Sequence, residues 1–345
     1  MKKVLLNILK YLALFAIGVI IFWLLYRKVE WEKLKGALAE LKYGWLILSI
    51  ALNMLAQYSR ALRWKMLIKP LGYNPSTKNA FLSVLVLYFV NLIIPRAGEV
   101  ARCSVLTKTD KVPFTKLVGT VFTERLADML MLFLLALIIF TSNFSTIIDF
   151  FRLNPDIEEN VRRFLDARYI ILLTGFILLL VLAAYITIRL LRRSSKRQRL
   201  SELKRQLIDG IKSIAHMKHK WLFIGHTAFI FLMWLMMLYV VFLAYEPTEN
   251  LSLRSGMVVF LMGGIAMIAP VQGGLGAWHG MVARTLLIYG IVWEEGLIFA
   301  LVAHTTTSLI YILIGGGVLL YLWLKFGKTI NLGLKETTAG KTQSG

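Results

Sequence analysis

Residues 91–128 read NLIIPRAGEVARCSVLTKTDKVPFTKLVGTVFTERLAD, and how this stretch sits decides the fold. An apolar segment stops at Pro95, a charged run follows, and a second hydrophobic helix opens with Glu124, Arg125 and Asp128 already inside it. A helix starting near Lys116 carries Asp128 about 18 Å along its axis at ~1.5 Å per residue, inside the hydrocarbon of a bilayer. Charges at that depth are costly and mark functional positions by default.

The rest of the chain makes the bilayer the natural solvent. Of 345 residues, 58% are hydrophobic, and mean hydropathy is +0.68. Apolar runs fall near 4–25, 43–60, 77–95, 117–142, 168–190, 221–245, 254–270, 275–291 and 296–325. Several approach the ~20 residues that a spanning helix needs. The formal charge of +21 would suggest nucleic acid in a soluble protein. Here Lys and Arg concentrate between the spans, so the basicity is topological, with attraction to anionic headgroups as a second consequence, and no nucleic-acid partner is expected. The single Cys103 excludes an internal disulfide and a cysteine-only metal site. The N-terminal MKK and its apolar run resemble a signal peptide, but the run is too long and Phe22, Trp23 and Leu24 stand where small residues would be cleaved. A retained first span is expected.

Loop charge assigns sides. The linker 189–220 carries eleven basic residues against Glu202 and Asp209 and belongs in the cytoplasm. The loop 143–168, with five acidic residues against four arginines, and the loop 246–253, with Glu246 and Glu249, belong outside. Arg60, Arg63, Lys65, Lys69 and Lys78 follow the second span, and Arg96, Arg102, Lys108, Lys111 and Lys116 follow the 77–95 segment, so that segment enters and leaves on one side. Acidic flanks give 254–291 the opposite orientation. Non-helical backbone at such depth requires surrounding protein or a water-filled cavity, so the two tips are expected to line a shared one.

The halves repeat the same order of elements in opposite directions, 4–142 against 168–325. The tips Ile94-Pro95-Arg96-Ala97-Gly98 and Ala269-Pro270-Val271-Gln272-Gly273 echo each other. The expected fold is therefore an all-α polytopic membrane protein of one domain, with about six transmembrane helices plus two oppositely oriented re-entrant hairpins in an inverted repeat. A cytoplasmic tail, 328–345, would complete it. Secondary transporters use this architecture, with the site near the midplane where broken helices meet.

Each candidate residue admits a plain and a sharper role. Glu99 and Arg102, at i, i+3, either pair on a surface helix, or Arg96 and Arg102 face the cavity mouth and grip a phosphate. Glu124, Arg125 and Asp128 either neutralise one another or relay protons and contact a headgroup. Gln272, Gly273, Gly274 and Gly276 either pack closely or expose backbone N–H groups to an anion, with His279 and Arg284 behind them. His304, beside Thr305 to Ser308, either bonds between helices or couples protons. Asn53 and Gln57 are expected to glue helices, and Arg60 and Arg63 to snorkel to the cytoplasmic interface. No metalloprotease, nucleophile-elbow or Walker pattern is present, which argues against an ATPase.

Arg60-Ala-Leu-Arg63-Trp64, then Asn91, Pro95, Gly98-Glu99 and Arg102, then Glu124-Arg125-Leu-Ala-Asp128, and finally Pro270, Gly273-Gly274 and Gly276 resemble the membrane domain of lysylphosphatidylglycerol synthase/flippases, including stand-alone proteins of the UPF0104 type. The resemblance spans about 40–325. It implies a multi-pass protein of the prokaryotic cytoplasmic membrane, with both termini cytoplasmic, that moves an amphiphile between leaflets. In bifunctional members a soluble C-terminal domain transfers an amino acid from tRNA to the lipid. Here the chain stops about twenty residues after its last span, so no aminoacyl transfer is expected. A separate lipid-modifying enzyme would be the partner. His279 stands where a glutamate is common in the family, so an anionic or neutral lipid fits as well as a cationic aminoacyl one.

The expectation is thus a lipid translocase for an anionic phospholipid or polyprenyl-phosphate lipid, without cofactor or metal. Arg96, Glu99, Arg102, Arg125, Gln272, Gly273, Gly274 and Gly276 would contact the substrate. Glu124, Asp128, His279 and His304 would balance charge or couple protons. An ion-coupled transporter of a small anion is the alternative, and an intramembrane lipid-modifying transferase a third.

Overall fold

The computed structural model describes residues 16–156, 159, 219–267, 269 and 271–326. The start of the first expected span, the expected span 168–190, nearly all of the basic linker, Pro270 and the tail 328–345 lie outside the described residues. Every regular element among the described residues is helical.

The helices are α1 (Ala16–Tyr26), α2 (Trp31–Ala39), α3 (Tyr43–Ile68), α4 (Thr77–Ile93), α5 (Gly98–Asp110) and α6 (Phe114–Ser142). After these come α7 (Phe144–Leu153), α8 (Lys220–Phe242), α9 (Leu253–Ala266), α10 (Ala277–Leu287), α11 (Trp293–Ile310) and α12 (Gly316–Phe326). Three helices among the described residues are long and apolar enough to cross a membrane: α6, α8 and the continuous 34-residue run of α11 and α12. The pair α2 and α3, bent by 79°, makes a fourth if counted as one.

Local chemistry sets the breaks. Ile94 is extended because Pro95 crowds the residue before it, and this ends α4. Lys111, at φ 57°, ends α5, and Pro113 precedes the first turn of α6. Glu294 and Glu295 occupy the first turn of α11, where the helix dipole favours anions. A π-helical turn at Tyr311–Gly315 joins α11 to α12.

Helices α3 and α8 run antiparallel: Ser59 meets His226 at 2.8 Å, and Ser49 donates to the Met237 carbonyl at 3.0 Å. Helices α4 and α5 form a hairpin tied at its base by Asp110, which accepts from Ser76 N–H at 2.8 Å and from the Asn79 amide at 3.0 Å. Helices α9 and α10 form a second hairpin. At ~1.5 Å per residue, the 17 residues of α4 and the 14 of α9 fall short of a ~30 Å hydrocarbon slab. The tips meet, because Gln272 donates to the Ile93 carbonyl at 3.3 Å.

Ion pairs bring α2, 246–253 and the start of α11 to one end of the molecule. Lys33 pairs with Glu294 and Glu295, and Lys42 with Glu249. The sequence reading passed over the short amphipathic helix α2, and it treated as loop the residues that form α7.

Candidate functional site

The buried charges of α3, α5 and α6 converge on one cluster. Helix α3 continues to Ile68, well past Arg60, so Arg60 and Arg63 do not snorkel: they are 2% and 0% exposed and face inward. Glu124, at 0% exposure, accepts from Arg60 Nε at 2.9 Å, Arg102 Nη1 at 2.9 Å and Arg125 Nη2 at 2.8 Å, with Arg63 Nη2 at 3.3 Å. Asp128 lies 2.7 Å from both Arg63 Nη1 and Arg125 Nη2. Glu99 lies 2.7 Å from Arg102 Nε. Four guanidiniums thus face three carboxylates, which leaves one positive charge in excess. Arg102 also stacks over Trp64 at 4.4 Å, and Arg63 donates to Thr227 at 3.0 Å.

Beside this cluster lies a cavity of about 350 Å³. Its wall is mainly apolar, with Leu92, Trp234, Met237, Phe260, Met267 and Trp278 prominent. Polar groups come from Ser49, Asn53, Asn91, His304, Thr307 and Ser308. Both hairpin tips contribute, through Asn91 and Leu92 on one side and Met267 and Gly273 on the other.

Two residues join cavity and cluster. The Tyr88 ring lines the cavity and stacks on Tyr311 at 4.5 Å, while its hydroxyl accepts from Arg60. Asn91 also lines the cavity, and its Oδ1 accepts from the Gly98 N–H at 2.8 Å, one residue before Glu99. Tyr311 donates to Asn53 at 2.8 Å and accepts from Gln57 at 2.9 Å, so the expected gluing pair binds the π turn.

Glu99, Arg102, Glu124, Arg125 and Asp128 therefore come together. Arg96 stands apart, exposed, at φ 65°, and without an ion-pair partner among the described residues. In the second tip, Gly274 N–H bonds to the Val271 carbonyl, and Gly276 N–H donates to His279 Nδ1 at 3.3 Å. Those donors are engaged within the tip. Gly276, at φ 80°, lies so close to α1 that an added Cβ would stand 2.6 Å from Ile21. His304 donates from Nε2 to the Gly273 carbonyl at 2.8 Å, and its ring lies 4.6 Å from that of His279. Arg284 pairs with Asp156 at 2.8 Å, away from the cluster.

The sequence reading missed Arg60, Arg63, Tyr88 and Tyr311 as members of the site. The i, i+3 spacing of Arg60 and Arg63, which puts both on one helix face, was the available signal.

The model of the lysylphosphatidylglycerol synthase TM region matches residues 11–315. A UPF0104 membrane protein of Methanocaldococcus jannaschii is 35% identical over 100 residues, which cover 28% of this chain and 30% of that protein. No solved structure matches. With a match across most of its length and several apolar helices, the chain is a multi-pass membrane protein and belongs to the lysylphosphatidylglycerol synthase transmembrane-region family.

Proposed function

We propose that the protein is a lipid translocase, which moves a phosphate-bearing lipid between leaflets of the prokaryotic cytoplasmic membrane. The observation that carries this reading is the cavity between the two hairpin tips, sharing Tyr88 and Asn91 with a buried cluster of one excess positive charge. Buried ionisable groups facing a cavity inside a membrane protein are the usual mark of a substrate path. The predominantly apolar wall favours an amphiphile over a small soluble anion.

In this reading α4–α5 and α9–α10 are re-entrant hairpins from opposite sides within an inverted repeat of 4–142 and 168–325. The cytoplasmic side is the end bearing Lys65, Lys69, Lys78, Lys111 and Lys116, with both termini there. Arg125, whose side chain is 39% exposed, meets the incoming phosphate first, and the more deeply buried Arg60 and Arg102 follow. In this reading the lipid crosses unmodified, and any modification of it falls to a separate enzyme.

The test uses liposomes of phosphatidylglycerol carrying a fluorescent analogue of that lipid, with dithionite quenching from outside. Wild type is expected to expose the inner pool, while Arg125→Ala and the cavity-filling Ala303→Trp lose most of that rate. Equal rates in wild type, both variants and protein-free liposomes would refute the proposal.

A further inference from the structure

The carboxylates of the cluster do not hold their arginines alike: Glu99 Oε2 and Asp128 Oδ1 are both buried without an aligned hydrogen bond, and of these two Glu99 has the more exposed side chain, 24% against 13%. Glu124 is buried and accepts three hydrogen bonds of 2.8–2.9 Å. Glu99 makes one close approach, 2.7 Å from Arg102 Nε, and two longer ones, 3.5 Å from Arg125 Nε and 3.7 Å from Arg60 Nη2. Yet its Oε2 and the Nε of Arg102 are buried without a hydrogen-bond partner, because the short contact is misaligned. The Nη2 atoms of Arg60 and Arg102 are likewise buried and without a hydrogen-bond partner.

Glu99 stands where its two oxygens do not line up with the guanidinium forks that arrive from α3, α5 and α6, although Glu124 aligns with the same three. A tetrahedral phosphate presents oxygens in more directions and accepts bidentate forks. Glu99 is also the carboxylate that can leave. Its side chain is 24% exposed against 0% for Glu124, and it sits in the first turn of α5, next to the hairpin tip.

We propose that Glu99 is a displaceable stand-in for phosphate. It neutralises Arg60, Arg102 and Arg125 in the ligand-free protein, gives way when a phosphate-bearing headgroup binds, and returns to expel it. The inference rests on the translocase reading only for the source of the phosphate. It reverses the sign expected of a substrate-binding residue, since Glu99 competes with the ligand. Removing its charge raises the excess at the cluster from one positive charge to two.

The test is titration of the purified full chain in detergent with dihexanoyl phosphatidic acid and, separately, with inorganic phosphate. Glu99→Gln is expected to bind the lipid about tenfold more tightly than wild type. Glu32→Gln, remote on α2 with an 82% exposed side chain, is expected to bind as wild type does. Tightening in both the lipid and inorganic phosphate arms supports a site for phosphate in general. Tightening for the lipid alone supports a headgroup site. Weaker or unchanged binding by Glu99→Gln overturns the proposal, and so does equal tightening by Glu32→Gln. If wild type fails to translocate lipid while Glu99→Gln still tightens, the translocase reading falls and the stand-in holds. Intact translocation without tightening gives the reverse.

Discussion

Replacing Glu124 by Gln separates the two kinds of carboxylate in the cluster. The substitution keeps size and shape but removes the charge that receives Arg60, Arg102 and Arg125 at 2.8–2.9 Å and faces Arg63 at 3.3 Å. Four buried or half-buried guanidiniums would then face two carboxylates, and one amide hydrogen would point at a donor. Removing one partner of a buried ion pair costs about 3–5 kcal/mol, because an uncompensated charge stays inside. At roughly 2–4 °C per kcal/mol for a large domain, the melting temperature should fall on the order of 10 °C. Glu99→Gln breaks only misaligned ion pairs at a partly exposed side chain, worth about 1 kcal/mol or less. The assay is built into the chain. Cys103 is its sole cysteine, 1% exposed and packed with Trp64 and Leu106, so a thiol-reactive dye reports the opening of this region on heating. A Glu124→Gln melt within 2 °C of wild type, or an equal fall in Glu99→Gln, would refute the division between a structural and an exchangeable carboxylate.

Two further outcomes test the frame around the site. At Gly98 an added Cβ would stand 2.1 Å from the Leu87 carbonyl oxygen and 2.7 Å from Asn91 Oδ1. Backbone cannot yield cheaply, so Gly98→Ala should cost about 3 kcal/mol in the same melt, whereas Gly36→Ala, with open space around it, should stabilise α2 by up to about 1 kcal/mol. Tyr88→Phe keeps the stack on Tyr311 but takes the hydroxyl from Arg60, and should lower stability by about 1–3 kcal/mol while leaving the protein folded.

Much of the fold was legible because hydropathy and loop charge act at the scale of whole helices. The tip at Pro95, the helix beginning near Lys116 and the break between α9 and α10 all stand near their expected places. Side-chain partners were less legible. Hydropathy ended the second span near Arg60, although α3 runs eight residues further and turns Arg63 into the interior. Glu124 and Asp128 on α6 neutralise it, and no local pattern records a partner sixty residues away. Tyr88 and Tyr311 look like ordinary aromatic residues of apolar segments. Only the π turn at 311–315 and the Asn53–Gln57 pair fix the Tyr311 hydroxyl where it does something.

The polar side chains at the tips follow from the same constraint that allows the hairpins to exist. A helix broken inside a membrane leaves N–H and C=O groups that lipid cannot satisfy, each costing several kcal/mol. Asn91 accepts from the Gly98 N–H, Gln272 donates to the Ile93 carbonyl, His279 accepts from the Gly276 N–H, and His304 donates to the Gly273 carbonyl. Each of these four residues therefore answers a backbone group freed by a break. The carbonyl of Gly273 can only accept, so it fixes the proton of His304 on Nε2, and Ser308 is left to donate to Nδ1 at 3.3 Å. Both histidines have a structural task at the tip that needs no change of charge. The excess charge in this part of the molecule thus lies with the arginines of α3, α5 and α6, and the headgroup of the proposed lipid substrate would answer to them.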